Sequence, residues 1–207
     1  MSAPPTTAQP AQLADLRRYL DGSPSHWHAA AAAGSMLATA GFREMPADGA
    51  WTGVPPLGFL RIKPRPDISA FGWHQLAVEV YGGALLNSWL DRDLGVAGRV
   101  VLTDGTVHLV RLDGPVARVP QLAIHLDRDV NERGVVLDKH QHLTPVWGVG
   151  DPSPGGFTAW LAAGIGTVAE QIAAWDLSLF DVTPSALIGP QGDLLAAGRI
   201  DNQVSCW

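Results

Sequence analysis

Arg99-Val100-Val101-Leu102-Thr103-Asp104-Gly105-Thr106-Val107-His108-Leu109-Val110-Arg111 is the stretch on which the fold turns. Residues 99–102 and 106–111 are rich in β-branched and apolar side chains. They flank Asp104-Gly105, a dipeptide that readily supplies the positive φ angles of a type I′ turn, so the spacing predicts a β-hairpin. Upstream, Leu76, Val78 and Val80 alternate with Ala77, Glu79 and Tyr81, the period-two pattern of a half-buried strand, ending at Gly82-Gly83. Downstream, 116–126 predicts one or two strands, 134–137 a short one and 176–182 another. Segments 187–189 and 194–200 predict two strands about Pro190-Gln191-Gly192-Asp193.

Helical spacing lies on either side of this β-rich middle. Leu13, Leu16 and Leu20 stand at i, i+3 and i+7, and Asp21-Gly22-Ser23-Pro24 closes that helix because Pro cannot continue it. Ser25 can cap a second, alanine-rich helix over 26–40, closed by Gly41. A helical pattern returns over 158–175, weakened by Gly164 and Gly166. Between 51 and 66, Pro55, Pro56, Pro64 and Pro66 each remove a backbone donor, which predicts a connection or edge strands. A β-rich unit between helical and strand flanks points to an α/β protein with one domain inserted into another.

The 207 residues suffice for one sizeable domain or two small ones. With 46% apolar and 16% charged residues the chain is globular in composition. Its net charge is −6 and its 14 basic residues are scattered, so no basic stripe exists to neutralise phosphates, and nucleic acid is not an expected partner. The single cysteine, Cys206, excludes an internal disulfide framework. Residues 1–10 lack the charged-then-apolar order of a secretion signal, and 29–40 is too short and too small to span a bilayer. No membrane is expected, and the cytoplasm is the default location.

Seven histidines raise the question of a metal. His26 and His28 diverge on a helix. His140 and His142 would share one face if extended, beside Asp138, but two ligands are too few for zinc. His74 and His108 read as solvent-facing or hydrogen-bonded strand residues. His125, within Leu122-Ala123-Ile124-His125-Leu126, reads as a hydrogen-bonded residue of a core strand. Asp91 and Asp93 flank Arg92 in what reads as a solvated or ion-paired turn. No serine elbow, P-loop or dinucleotide fingerprint is present, and no catalytic residue is assigned.

Several blocks nevertheless resemble one family. Arg61-Ile62-Lys63-Pro64-Arg65-Pro66-Asp67 is similar to the segment that follows the first metal ligand in M18-type aminopeptidases, the aspartyl aminopeptidase family. Val78-Glu79-Val80-Tyr81-Gly82-Gly83 and Leu86-Asn87-Ser88-Trp89-Leu90-Asp91-Arg92-Asp93-Leu94 resemble that family's most recognisable stretch. So do Ala97-Gly98-Arg99-Val100-Val101, Arg118-Val119-Pro120-Gln121-Leu122-Ala123-Ile124-His125-Leu126 and Gln141-His142-Leu143-Thr144-Pro145-Val146. Arg199-Ile200-Asp201-Asn202 resembles the R-[LI]-D-N motif. The blocks keep the family's order.

The resemblance implies a partial doubly wound metallopeptidase catalytic domain carrying an inserted β-rich dimerisation domain. Residues 1–67 and 191–207 would belong to the catalytic domain and 68–190 to the insertion. It implies a homo-oligomeric zinc aminopeptidase that removes N-terminal, preferentially acidic, residues from peptide substrates. Two zinc ions about 3.5–4 Å apart would activate water and polarise the carbonyl. Asp201 would be the metal-bridging carboxylate, and His125 would reach a neighbouring subunit's substrate. The family's H-T-D-S-P-like block has no counterpart before Arg61, and its general base and remaining ligands would lie beyond Asp201. A lone carboxylate does not hold zinc. The expectations are therefore an M18-like chain that neither retains zinc nor turns over alone, or else a dimerisation module or the product of a disrupted gene.

Overall fold

A computed structural model describes residues 9–42, 59–150, 155–205 and 207. In chain order the elements are helices α1 (Gln9–Gly22) and α2 (His26–Thr39), then strands β1 (Phe59–Ala70), β2 (Trp73–Tyr81), β3 (Leu94–Leu102) and β4 (Val107–Ala117). A single helical turn α3 (Val130–Arg133) precedes β5 (Val146–Val149), helix α4 (Gly156–Gly164) and β6 (Ile172–Asp181). A short pair, β7 (Ala186–Ile188) and β8 (Leu194–Ala196), leads to the turn of helix α5 (Ile200–Gln203). They fall into two compact units, one of Leu57–Val182 and one of Met1–Pro56 with Thr183–Trp207.

The Leu57–Val182 unit is built on a six-stranded antiparallel sheet in the order β4-β3-β6-β1-β2-β5. Strand β3 runs between β4 and β6, and its residues from Leu94 to Gly98 are all buried, as a near-continuous apolar run requires. Two of its glycines are dictated by close approach. A Cβ on Gly98, whose φ is +151°, would lie 2.1 Å from the Asp176 carbonyl oxygen, and one on Gly95 would lie 2.7 Å from that of Leu112. Helix α4 turns Phe157 and Leu161 into the core formed with Leu60, Leu76, Val96, Leu143 and Leu179. Around Phe157 stand Trp147, Trp160 and Trp175 at ring separations of 5.8, 5.6 and 5.8 Å.

The hairpin at Asp104-Gly105 forms, with Val101 opposite Val107, but its turn is not type I′. Gly105 N donates to Leu102 O at 2.9 Å and Leu102 N to Thr106 O at 2.8 Å, and only Gly105 of the pair has positive φ. The loop is thus a three-residue turn closed by a left-handed glycine, and the Asp104 carboxylate is engaged by Thr106 N at 2.8 Å.

Other expectations need correction. The prolines of β1 do not prevent a strand: Pro64 and Pro66 lie within a register break between Ile62 and Asp67, where ladder bonds are already interrupted. Before Phe59, the expected connection lies outside the described residues. The helix expected over 158–175 stops at Gly164, and 172–181 is a strand between β3 and β1. Tertiary pairing there overrides helical spacing: Trp175 donates its indole N–H to Ile62 O at 3.3 Å. Of the strand or two expected over 116–126, Val116 and Ala117 close β4 and Arg118 and Val119 make isolated bridges, while 120–126 and 134–137 are not strands; Val146–Val149 is a strand that the pattern did not suggest.

In the other unit, Ser25 caps α2 as expected, its hydroxyl accepting from His28 N, and α1 packs against α2. Arg17 donates to the Ser185 hydroxyl and carbonyl at 3.2 and 2.8 Å, and the Asp21 carboxylate accepts from the Ser185 N–H and O–H at 2.8 and 2.7 Å. Gln203 donates to Ser23 O at 2.9 Å. The Ser185 bonds tie the first helical hairpin to the start of the β7–β8 pair, which has too few strands to be stable in isolation, and the Gln203 bond ties it to α5.

Candidate functional site

His125 does not sit in a core strand. It lies in a turn, exposed, with Leu122, Ile124 and Leu126 also exposed at 62%, 43% and 73%. The turn is closed by Leu126 N donating to Ala123 O at 2.8 Å. The period-two apolar pattern of this segment therefore marks an exposed apolar loop, because among the described residues no strand pairs with it to bury it.

The base of that loop is fixed by a second segment. Val119 is fully buried and bridges Leu90, while Arg118 and Val146 exchange backbone hydrogen bonds of 2.9 and 2.8 Å. Asp91, with φ of 55°, donates its N–H to Val119 O at 2.8 Å, and its carboxylate accepts from Gln121 N at 3.1 Å. Arg118 Nε donates to the Asp93 carboxylate at 3.2 Å. That hydrogen bond, then the charges of Asp93 and Asp91, hold the guanidinium above its ordinary basicity. Arg92 is ion-paired to Asp181. The turn read as merely ion-paired is thus the anchor of the His125 loop. The alternation of acidic residues with Arg92 was the only sign of this in the sequence.

His140 and His142 are not extended side by side. The Asp138 carboxylate accepts from the His140 and Gln141 backbone N–H groups at 2.8 and 2.9 Å, and His142 Nδ1 accepts from Asp138 N at 2.8 Å. The two backbone donors, with smaller contributions from the nearby imidazoles, hold the Asp138 carboxyl below its ordinary value. This is a self-closed turn on the surface, in keeping with a structural role. His28 is buried, with Nδ1 2.8 Å from the Ser25 hydroxyl. His74 departs from expectation: its Nε2 is buried and has no hydrogen-bond partner among the described residues.

Asp201 lies on the α5 turn with its side chain exposed. Arg199 before it adopts φ of 62° and donates to Leu20 O at 3.2 Å, which positions the start of α5. Among the described residues no three His, Cys, Asp or Glu side chains gather as a metal site would require. The residues described therefore do not fit a zinc centre.

The family model described as aminopeptidase I zinc metalloprotease (M18) matches residues 55–207. The chain belongs to the M18 family. The probable M18 family aminopeptidase 2 of Streptomyces avermitilis is 43% identical over 225 residues, covering 92% of this chain and 52% of that one. Its Mycobacterium leprae counterpart is 37% identical over 237 residues, covering 96% and 55%. This M18 chain thus spans about half the length of the curated relatives it matches. Because 225 aligned positions take in only 92% of 207 residues, the Streptomyces relative carries extra residues inside the matched stretch. The mApe1 structure from Chaetomium thermophilum superposes with a TM-score of 0.78 at 27% identity, over 92% of this chain and 55% of that one. The S. cerevisiae mApe1 dodecamer superposes at 0.71 and 20% identity, over 90% and 52%. The family is one of zinc metalloproteases, which are hydrolases, and the described residues of this chain have a mixed α/β fold with a central antiparallel sheet. Among the described residues no helix is long and apolar enough to cross a membrane.

Proposed function

We propose that this chain is part of a zinc aminopeptidase that removes N-terminal, preferentially acidic, residues from peptides in the cytoplasm. In this reading, residues 68–190 form the inserted dimerisation domain and residues 1–67 with 191–207 belong to the catalytic domain; the division into compact units at Leu57–Val182 and at Met1–Pro56 with Thr183–Trp207 supports an insertion of about this extent. His125 contacts substrate bound by a neighbouring subunit, and Asp201 is the carboxylate that bridges two zinc ions in an assembled site. The observation that carries the reading is the 43% identity to a probable M18 aminopeptidase. It is supported by the exposed placement of both His125 and Asp201, each open to groups from elsewhere. Self-association is supported by the dodecameric state of S. cerevisiae mApe1.

By itself this chain holds no stoichiometric zinc and does not turn over. The test is hydrolysis of N-terminal Asp and Glu anilides by the purified chain with added zinc, alongside elemental analysis after dialysis. Absence of turnover above blank and of retained zinc is expected, and chelator-sensitive hydrolysis would overturn it. A second reading, a non-catalytic association module, is favoured by the Leu57–Val182 unit having its own sheet and core while the described residues gather no metal ligands. Sedimentation showing a well-folded monomer at micromolar concentration would count against it.

A further inference from the structure

Asp91 makes two contacts that run to the same strand of chain. Its backbone N–H donates to Val119 O at 2.8 Å, and its carboxylate accepts from Gln121 N at 3.1 Å. Together they span the three residues Val119, Pro120 and Gln121, of which the proline has no donor of its own. The pair is possible because Asp91 occupies the left-handed region at φ of 55°, which turns backbone and side chain toward one side. Aspartate and asparagine tolerate that region far better than alanine does. Immediately after Gln121 the chain leaves the body of the domain, and Leu122, Ile124 and Leu126 are exposed. Gln121 N is therefore the last of these described anchors before the His125 turn, the next backbone bonds being those of the turn itself, to Ala123 O.

We propose that Asp91 is the positioning residue of the His125 loop, setting the direction in which that histidine leaves the domain. The inference deepens the reading of His125 as a contact to a neighbouring subunit's substrate, and rests on it for its functional meaning. The Asp93–Arg118 pair and the Arg118–Val146 bonds fix the strand below the anchor; among the described residues, Asp91 holds the residue from which the loop departs.

The two requirements, a left-handed backbone and a side-chain acceptor, can be separated by substitution. Asp91→Asn keeps both, Asp91→Gly keeps the backbone and loses the acceptor, and Asp91→Ala loses both. The measurement is amide hydrogen exchange and histidine-ring NMR on the isotope-labelled chain, without metal or substrate. In Asp91→Gly and Asp91→Ala the Gln121 amide is expected to exchange about tenfold faster, the scale of one net hydrogen bond. The His125 ring signals should move toward those of a free histidine. In Asp91→Asn both readouts should stay within about twofold of the parent. Core amides such as Val100 and Leu177 should keep their protection in all three.

Unchanged Gln121 exchange in Asp91→Gly overturns the proposal, as does Asp91→Asn behaving like Asp91→Gly. Faster Gln121 exchange with undisturbed His125 signals also overturns it, because the anchor would then not set the histidine. Loss of core protection in Asp91→Gly would make Asp91 a determinant of the whole fold and overturn the specific role. His125→Ala tests the substrate-contact reading through activity of an assembled enzyme, and should leave Gln121 exchange untouched. Failure of one idea is thus distinguishable from failure of the other.

Discussion

The Asp67 carboxylate accepts a hydrogen bond from the Phe157 backbone N–H at 3.0 Å, capping α4 from a strand ninety residues earlier in the chain. The residue preceding α4 is Gly155, with φ of 76° and no side chain to satisfy the first N–H groups of the helix. Asp67 supplies that acceptor at the end of the proline-containing break in β1, so the bulge has a use: it turns the carboxylate toward the helix.

Asp67→Ala should therefore destabilise the Leu57–Val182 unit by about 1 kcal/mol, the usual worth of a helix cap. Urea unfolding followed by tryptophan fluorescence checks this, since Trp147, Trp160 and Trp175 surround Phe157. Asp67→Asn, which retains an acceptor, should recover most of the loss.

Gly98→Ala should be more damaging. The added methyl would overlap the Asp176 carbonyl across the β3–β6 ladder at 2.1 Å, at a φ that alanine avoids. Separation of the two strands or distortion of the ladder is forced, on the scale of about 1–3 kcal/mol seen when packed cores are overfilled. A drop in the unfolding midpoint of several degrees is expected, and an unchanged midpoint would contradict the register of this pair.

The turn at 138–142 should loosen in acid. Its folded carboxyl is held below the ordinary Asp value of 3.8 by the His140 and Gln141 N–H groups, so its stabilising contribution is present above that value. That contribution is lost as pH falls below 3.8 through the lower folded value. NMR titration should show the His140 and Gln141 amides shifting with Asp138 in that window. Asp138→Ala should remove the transition, whereas Asp104→Ala should leave it in place.

Much of the fold was legible locally. Ser25 caps α2, Gly82-Gly83 follows β2, and the Asp104-Gly105 hairpin pairs as its sequence predicts, because caps and turns are decided by a few adjacent residues. The turn type is not fixed by the dipeptide, which permits both a two-residue and a three-residue loop. Trp175 departs from its helical spacing because that spacing does not exclude a strand whose two neighbours come from distant parts of the chain. The alternating Leu122-Ala123-Ile124-His125-Leu126 is exposed for the converse reason: periodicity reports side-chain character, and burial also needs a partner strand.

The sequence by itself determined the family, through ordered blocks of side chains, and with it the identity of His125 and Asp201 as residues of interest. It determined the glycines at 95 and 98, although not why they are glycines. Only the tertiary structure decided that Asp67 caps α4, that Gly98 lies against the Asp176 carbonyl, and that Asp91 anchors the loop leading to His125. Each of these joins segments between 30 and 90 residues apart. A hydrogen bond or a van der Waals limit acts over a few ångströms of space whatever the separation along the chain, so no local pattern could announce it.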